Sequence, residues 1–187
     1  MATKKPKARY IAFLRGINVG GHRVKMDHLR ELFEALKFAN VSTFIASGNV
    51  IFDASSTDAA ALEKQIELHL KDALGYEAHT FIRTPSELAA VAEHRPFADA
   101  DMDAAGYSIH VAFLRDAFGK ETQKKLLAMR TSFDEFHVHG REFYWLCRGR
   151  FSDSLVPGPL LAKTISVSVT MRNVKTIRKL AAKCPVE

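Results

Sequence analysis

The sequence predicts an α+β fold, with two tandem ferredoxin-like (βαββαβ) subdomains from an internal duplication and a C-terminal helix. Three observations predict it. The tetrapeptide Ala-Phe-Leu-Arg occurs at Ala12 to Arg15 and again at Ala112 to Arg115. Strand-like and helix-like segments follow each copy in the same order. An arginine, Arg83 or Arg172, stands at the last strand-to-helix corner each time. A βαββαβ string places two helices on one face of an antiparallel sheet. Duplication also suits the length of 187 residues, because half of it alone would have a small core.

In the first subdomain, Tyr10 to Arg15 is an apolar run suited to a buried strand. A glycine-rich loop, Gly16 to Val24, leads to Leu29, Leu32, Phe33 and Leu36, which share one helical face. Val41 to Ala46 is rich in β-branched and aromatic residues, Ser47-Gly48-Asn49 reads as a tight turn, and Val50 to Phe52 returns as a strand. A second helix is capped near Thr57-Asp58, carries Leu62, Ile66 and Leu70 inward, and stops at Gly75. Ala78 to Arg83 is the fourth strand, and Pro85 opens a trailing helix.

The second subdomain starts with a strand at Tyr107 to Leu114 and a helix at Lys120 to Arg130, with Leu126, Leu127 and Met129 apolar. Phe133 to Val138 and Glu142 to Cys147 form a hairpin around His139-Gly140-Arg141. A short helix at Pro157 to Lys163, a strand at Val167 to Arg172 and a helix at Asn173 to Cys184 complete it; Val174, Ile177, Leu180 and Ala181 point inward. The expected layout is a basic tail (1–9), subdomain one (10–98), an acidic small-residue linker (99–106) and subdomain two with its helix (107–187).

A hydrophobic content of 47% suits a packed globular protein. No apolar run approaches the ~18 residues of a membrane span, so no membrane partner is expected. The basic N-terminus leads into no signal-like apolar region. Cys147 and Cys184 are unclustered, which suits a reducing compartment, and a cytoplasmic location is expected. The net charge of +6 concentrates at the two ends of the chain: residues 141–187 hold nine Lys/Arg against three Asp/Glu. These ends would serve either as solvated faces or as a patch for phosphates.

The sharpest local feature is the loop Gly16 to Lys25. Gly16, Gly20 and Gly21 permit positive φ and close backbone approach, so successive N–H groups could cradle an anion ahead of a helix N-terminus. Arg15, His22, Arg23 and Lys25 supply charge around it. The spacing is neither a P-loop nor a dinucleotide fingerprint. The structural alternative is a tight loop in which Asn18 bonds the backbone. Ser47 lacks the Gly-x-Ser-x-Gly context of a serine nucleophile. His137 and His139 lie on one side of a strand as half of a metal site, which His110, Asp134 and Glu135 could extend, but exposed hairpin histidines are the expectation; no metal or cofactor is expected. Phe143, Tyr144 and Trp145 are expected to be buried rather than to stack RNA bases.

The stretch Arg15-Gly16-Ile17-Asn18-Val19-Gly20-Gly21 with Lys25-Met26, the segment Ser47 to Phe52, and Thr170 to Asn173 together resemble the bacterial family known as domain of unknown function 1697. The likeness covers nearly the whole chain, with its motifs in the family's order. Val174 departs from the tryptophan expected after Arg172-Asn173, which would loosen the packing of the terminal helix. The resemblance implies two ferredoxin-like subdomains and a cytoplasmic bacterial protein; it implies no reaction.

Residues and resemblance together point to a ligand-binding set of Arg15, Gly16, Asn18, Gly20, Gly21, Lys25, Ser47, Asn49, Arg172 and Asn173. The expected partner is an anionic small molecule or a nucleic-acid backbone. Two other classes stay open. One is an enzyme on a small anionic substrate, with His22 or Ser47 moving protons. The other is a self-associating or partner-binding protein.

Overall fold

A computed structural model describes residues 7–186. The basic segment ahead of Lys7 lies outside the described residues. By packing, the chain forms two compact units, one running to Leu88 and including the residues from Cys184 onward, the other spanning Ala89–Lys183. The fold is mixed α+β, with a four-stranded antiparallel sheet in each unit.

In the first unit, β1 (Ala8–Leu14), α1 (Met26–Ala35), β2 (Ala39–Thr43), β3 (Asn49–Ala54), α2 (Ala59–Leu74) and β4 (Thr80–Arg83) follow in order. The strands lie in the order β2-β3-β1-β4. Alternation along β1 sends Tyr10, Ala12 and Leu14 to the core that holds Leu29 and Phe33 of α1 and Leu62, Ile66 and Leu70 of α2. Ile11 and Phe13, on the other face, are also buried. Helix α2 begins where Asp58 accepts a hydrogen bond from Ala61 N–H and ends at Gly75, whose φ is 78°. Helix α3 (Pro85–Glu93) opens with a capping box: Thr84 N–H donates to Glu87 Oε2 at 2.8 Å and Glu87 N–H to Thr84 Oγ1 at 3.2 Å.

The edge strand β2 departs from the sequence expectation of Val41 to Ala46. Phe44 N–H donates to Asn49 O, and the backbone turns back through residues 45–48, with Ile45 at φ 51° and Gly48 at φ 73°. That turn removes Phe44 to Ala46 from the strand. The strand starts earlier instead, with an irregularity between Ala39 and Ser42 and Asn40 at φ 50°.

In the second unit, α4 (Asp99–Met102) precedes β5 (Ser108–Phe113), α5 (Lys120–Leu127), β6 (Asp134–His139), β7 (Glu142–Cys147), α6 (Gly158–Ile165), β8 (Thr170–Asn173) and α7 (Val174–Lys183). The strand order is β6-β7-β5-β8. The register repeats that of the first unit. Ala12 pairs with Val50 and Ile82, and Ala112 with Phe143 and Met171; Ile11 pairs with Arg83, and Val111 with Arg172. The two Ala-Phe-Leu-Arg copies thus hold the same place in their sheets. Residues 99–106 contain a four-residue helix and the cluster in which Arg95 reaches Asp99 and Asp103, and the division by packing falls within α3. Helix α5 ends at Leu127, short of Arg130, and Leu127 is exposed while Leu126 is buried.

One face of the second sheet builds a core from Ala112, Leu114, Phe143, Trp145 and Cys147 with Leu126, Leu161 and Ile165 of the helices. The buried Asp134 ties that core to the loop after β7. It accepts from Trp145 Nε1 at 2.8 Å, Ser154 Oγ at 2.7 Å, Thr131 Oγ1 at 2.9 Å and Leu155 N–H at 2.9 Å. Burial pushes its pKa up, but these donors outweigh burial and hold it below the usual aspartate value. The carboxylate that the sequence offered as a neighbour of the hairpin histidines is therefore a core hub.

Candidate functional site

The loop after β1 is shaped by Asn18, which adopts φ 56°, while Gly16, Gly20 and Gly21 take φ 92°, 59° and 89°. Asn18 Nδ2 donates to Ala46 O at 3.0 Å, and its Oδ1 accepts from Val24 N–H at 2.8 Å. One side chain thereby pins both ends of the glycine segment and anchors it to the turn after β2. Gly20 and Gly21 stand in open space, whereas a Cβ at Gly16 would sit 3.2 Å from Glu77 O. Two of the glycines thus leave the backbone open to a ligand, and one serves packing.

The loop encloses an open depression of about 630 Å³, lined by Asn18 to Lys25 and Ala46. Among the described residues, its lining contains His22, Arg23 and Lys25 and no carboxylate. Lys25 is the N-cap of α1 and gives no side-chain cap. Among the described residues, the first-turn N–H groups of this ten-residue helix therefore have no side-chain cap from its N-cap residue at the end of the loop. Asp27, in that first turn, is offset by Arg30 at 3.3 Å. The His22 ring stacks on Tyr76 with centroids 3.8 Å apart.

Of the residues singled out from sequence, Asn18, Gly20, Gly21 and Lys25 line this depression. Arg15 and Gly16 form its stem, where Arg15 N–H donates to His79 O and the Arg15 side chain is exposed. Ser47 and Asn49 belong to the neighbouring turn. Asn49 is buried and donates to Phe44 O and Ser47 Oγ, both at 2.9 Å. Its place is explained by the turn it closes. Arg172 and Asn173 lie in the second unit. Arg172 is buried and donates from Nη1 to Thr170 Oγ1 and Met171 O at 2.8 Å, and desolvation lowers its pKa to about 10. Asn173 accepts from Lys175 N–H at 2.9 Å, the local capping role read from its sequence position.

The second unit brings together a cluster that sequence spacing missed. His137 and His139 sit on one side of β6, as their alternation requires. The third histidine beside them is His94, just beyond α3, rather than His110. His110 lies on β5 opposite Trp145, half-buried against Phe151, with its Nδ1 buried and unbonded among the described residues. His94 carried no signal in sequence because only the packing of the α3 end beside the sheet brings it near. Phe143, Tyr144 and Trp145 are all buried, as expected from their apolar setting.

Residues 8–144 match the family model described as Protein of unknown function (DUF1697). No curated protein is significantly similar in sequence. Among solved structures, the fold is similar to that of a conserved bacterial protein from Streptococcus pneumoniae. That likeness has a TM-score of 0.74 at 19% identity and covers 96% of this chain and 100% of the other. Among the described residues no helix is long and apolar enough to cross a membrane.

Proposed function

We propose, for a chain that belongs to the DUF1697 family of proteins of unknown function, that the Gly16–Lys25 loop binds the phosphate or other anionic group of a small molecule or nucleic-acid backbone. The observation that carries the reading is the lining of the depression. Open glycine backbone, an uncapped helix N-terminus, the cations Arg23 and Lys25 and the His22 imidazole share one concavity that holds no carboxylate among the described residues. Backbone N–H groups and a helix dipole favour negative charge there, and the cations draw it in from solution. Arg15 at the stem adds to this field. Ser47, Asn49, Arg172 and Asn173 act in this reading as framework, through the bonds described above.

The enzyme alternative has less support. Ser47 Oγ accepts from Asn49 Nδ2, and His22 is stacked on Tyr76. Two further readings accompany the proposal. The matched element order, strand order and register of the two sheets support an internal duplication of a ferredoxin-like βαββαβ unit, joined through residues 99–106. The burial of Cys147 and Cys184, with no disulfide between them among the described residues, supports a cytoplasmic location.

The test is a thermal-shift screen against nucleotides, phosphosugars and short RNAs, with an Arg15→Ala, Lys25→Ala variant beside the wild type. A hit should raise the wild-type melting temperature, fail to raise that of the variant, and weaken steeply with added salt. A hit that stabilises both proteins equally would place binding elsewhere. No salt-sensitive hit from any class would sink the proposal.

A further inference from the structure

The hairpin of the second unit carries three imidazoles in one place. Each of His94, His137 and His139 offers one ring nitrogen, and these nitrogens all lie within 4.8 Å of one another. The His94 and His139 rings stack with centroids 4.4 Å apart, and those of His94 and His137 are 5.4 Å apart. Tyr144 closes one side, 5.0 Å from the His94 ring, and donates its hydroxyl to Val91 O at 3.3 Å. The His94 Nε2 is buried yet has no hydrogen-bond partner among the described residues. A buried ring nitrogen left unbonded is unfavourable, and an ion bound to it would supply the missing partner.

Packing alone would explain stacked neutral rings. It leaves the orphaned nitrogen unexplained, and it does not account for three ring nitrogens converging from two separate segments. We propose that His94, His137 and His139 form a three-histidine site for a borderline divalent metal ion, Zn²⁺ or its Co²⁺ analogue, with a fourth position open to water or an anionic ligand. Imidazole ligation suits Zn²⁺ and its neighbours, and three protein ligands with one open position is the pattern of reactive rather than purely structural zinc sites. Metal–nitrogen bonds of about 2.0–2.1 Å require the nitrogens to draw in to about 3.4 Å of one another. The exposed His139 ring, at the end of its strand, has the freedom to make that movement. The site and the glycine loop belong to different units, so neither proposal depends on the other.

The experiment is isothermal titration of the full chain with Zn²⁺, paired with the visible spectrum of the Co²⁺ form. The wild type should bind one tight equivalent and show the intense bands of low-coordinate cobalt. His139→Ala, at an exposed position that the fold does not need, should weaken binding 100-fold or more and remove those bands, and so should His137→Ala. His28→Ala, which removes an exposed histidine beside Glu31 on α1, should change neither. Absence of tight binding in the wild type would overturn the proposal. Affinity unchanged by His139→Ala, or reduced equally by His28→Ala, would also overturn it, because it would mean scattered adventitious binding.

Discussion

The two Ala-Phe-Leu-Arg segments enter the same kind of sheet in the same register and leave it differently. After β1 the chain takes residues 15–25 to reach α1, with three glycines at positive φ and an open depression. After β5 it takes residues 114–119 to reach α5, and the only glycine there, Gly119, needs no positive φ. The frame is matched where hydrogen bonding and core packing dictate it, and it diverges where nothing in the sheet requires a long connection. Long glycine-rich connections on a rigid scaffold are where binding is expected. The loop that has no counterpart is therefore the better guide to function than the shared frame.

The sharpest contrast in stability lies between the two buried aspartates. Asp53 takes Arg9 Nε at 2.9 Å and Asn40 Nδ2 at 2.6 Å, and Arg9 is 40% exposed. Asp134 is fully buried and takes its donors from the core and from the loop after β7. Replacing Asp134 by Ala leaves several buried donors unpaired, so urea unfolding should show a loss of about 3 kcal/mol or more. Asp53→Ala should cost about 1 kcal/mol, because solvent replaces part of what is lost. Both carboxyls titrate below their ordinary value in the fold. Their stabilisation is therefore complete above the unfolded value of about 3.9 and is lost as pH falls through the folded one. Equal losses in the two variants would break the contrast.

The hairpin glycines sharpen it further. Leu14 N–H donates to Gly48 O, and Leu114 N–H to Arg141 O, so the two turns meet their sheets alike. A Cβ on Gly48 would lie 3.1 Å from the Cβ atoms of both Leu14 and Ile17, whereas at Gly140 the nearest atom is Glu142 Oε2 at 3.8 Å. Gly48→Ala combines strain at positive φ with overpacking and should cost about 2–3 kcal/mol; Gly140→Ala carries the strain alone, about 1 kcal/mol. Thermal melts of the pair would decide this.

A smaller effect separates Tyr10 from His110, which occupy matching sheet positions opposite Phe52 and Trp145. Tyr10 donates its hydroxyl to Ser56 O at 3.0 Å, while burial drives the His110 pKa down to about 4. Below about pH 6.5 the unfolded chain takes up a proton at this position that the folded chain refuses, so stability should fall between about pH 6.5 and 4. After discounting for the part of the ring that water reaches, the loss is about 1–2 kcal/mol. Unfolding measured at several pH values should show that component vanish in His110→Phe; its persistence would assign the loss to other groups.

Much of this was legible in the sequence. The helical spacing of Leu29, Leu32 and Phe33, the cap at Asp58 and the stop at Gly75 are local signals, and local signals survive into the fold. The glycine loop was legible for the same reason. The β2 boundary was not, because the positive φ at Ile45 is imposed by the turn against the preference of a β-branched residue, and Asn40, which tolerates positive φ, gives no local sign that it will use it. Arg172 read as available for a ligand because nothing near it in sequence shows that its strand is covered. Asp134 and His94 were misplaced or missed because their partners arrive from distant segments.

The most direct measurement is an amide ¹H–¹⁵N titration of the full chain with inorganic pyrophosphate at low ionic strength. The account predicts saturable shifts at Gly20, Gly21 and the first turn of α1, with residues 114–119 unmoved. No shift in the loop, or equal small drifts in both connections, would contradict it.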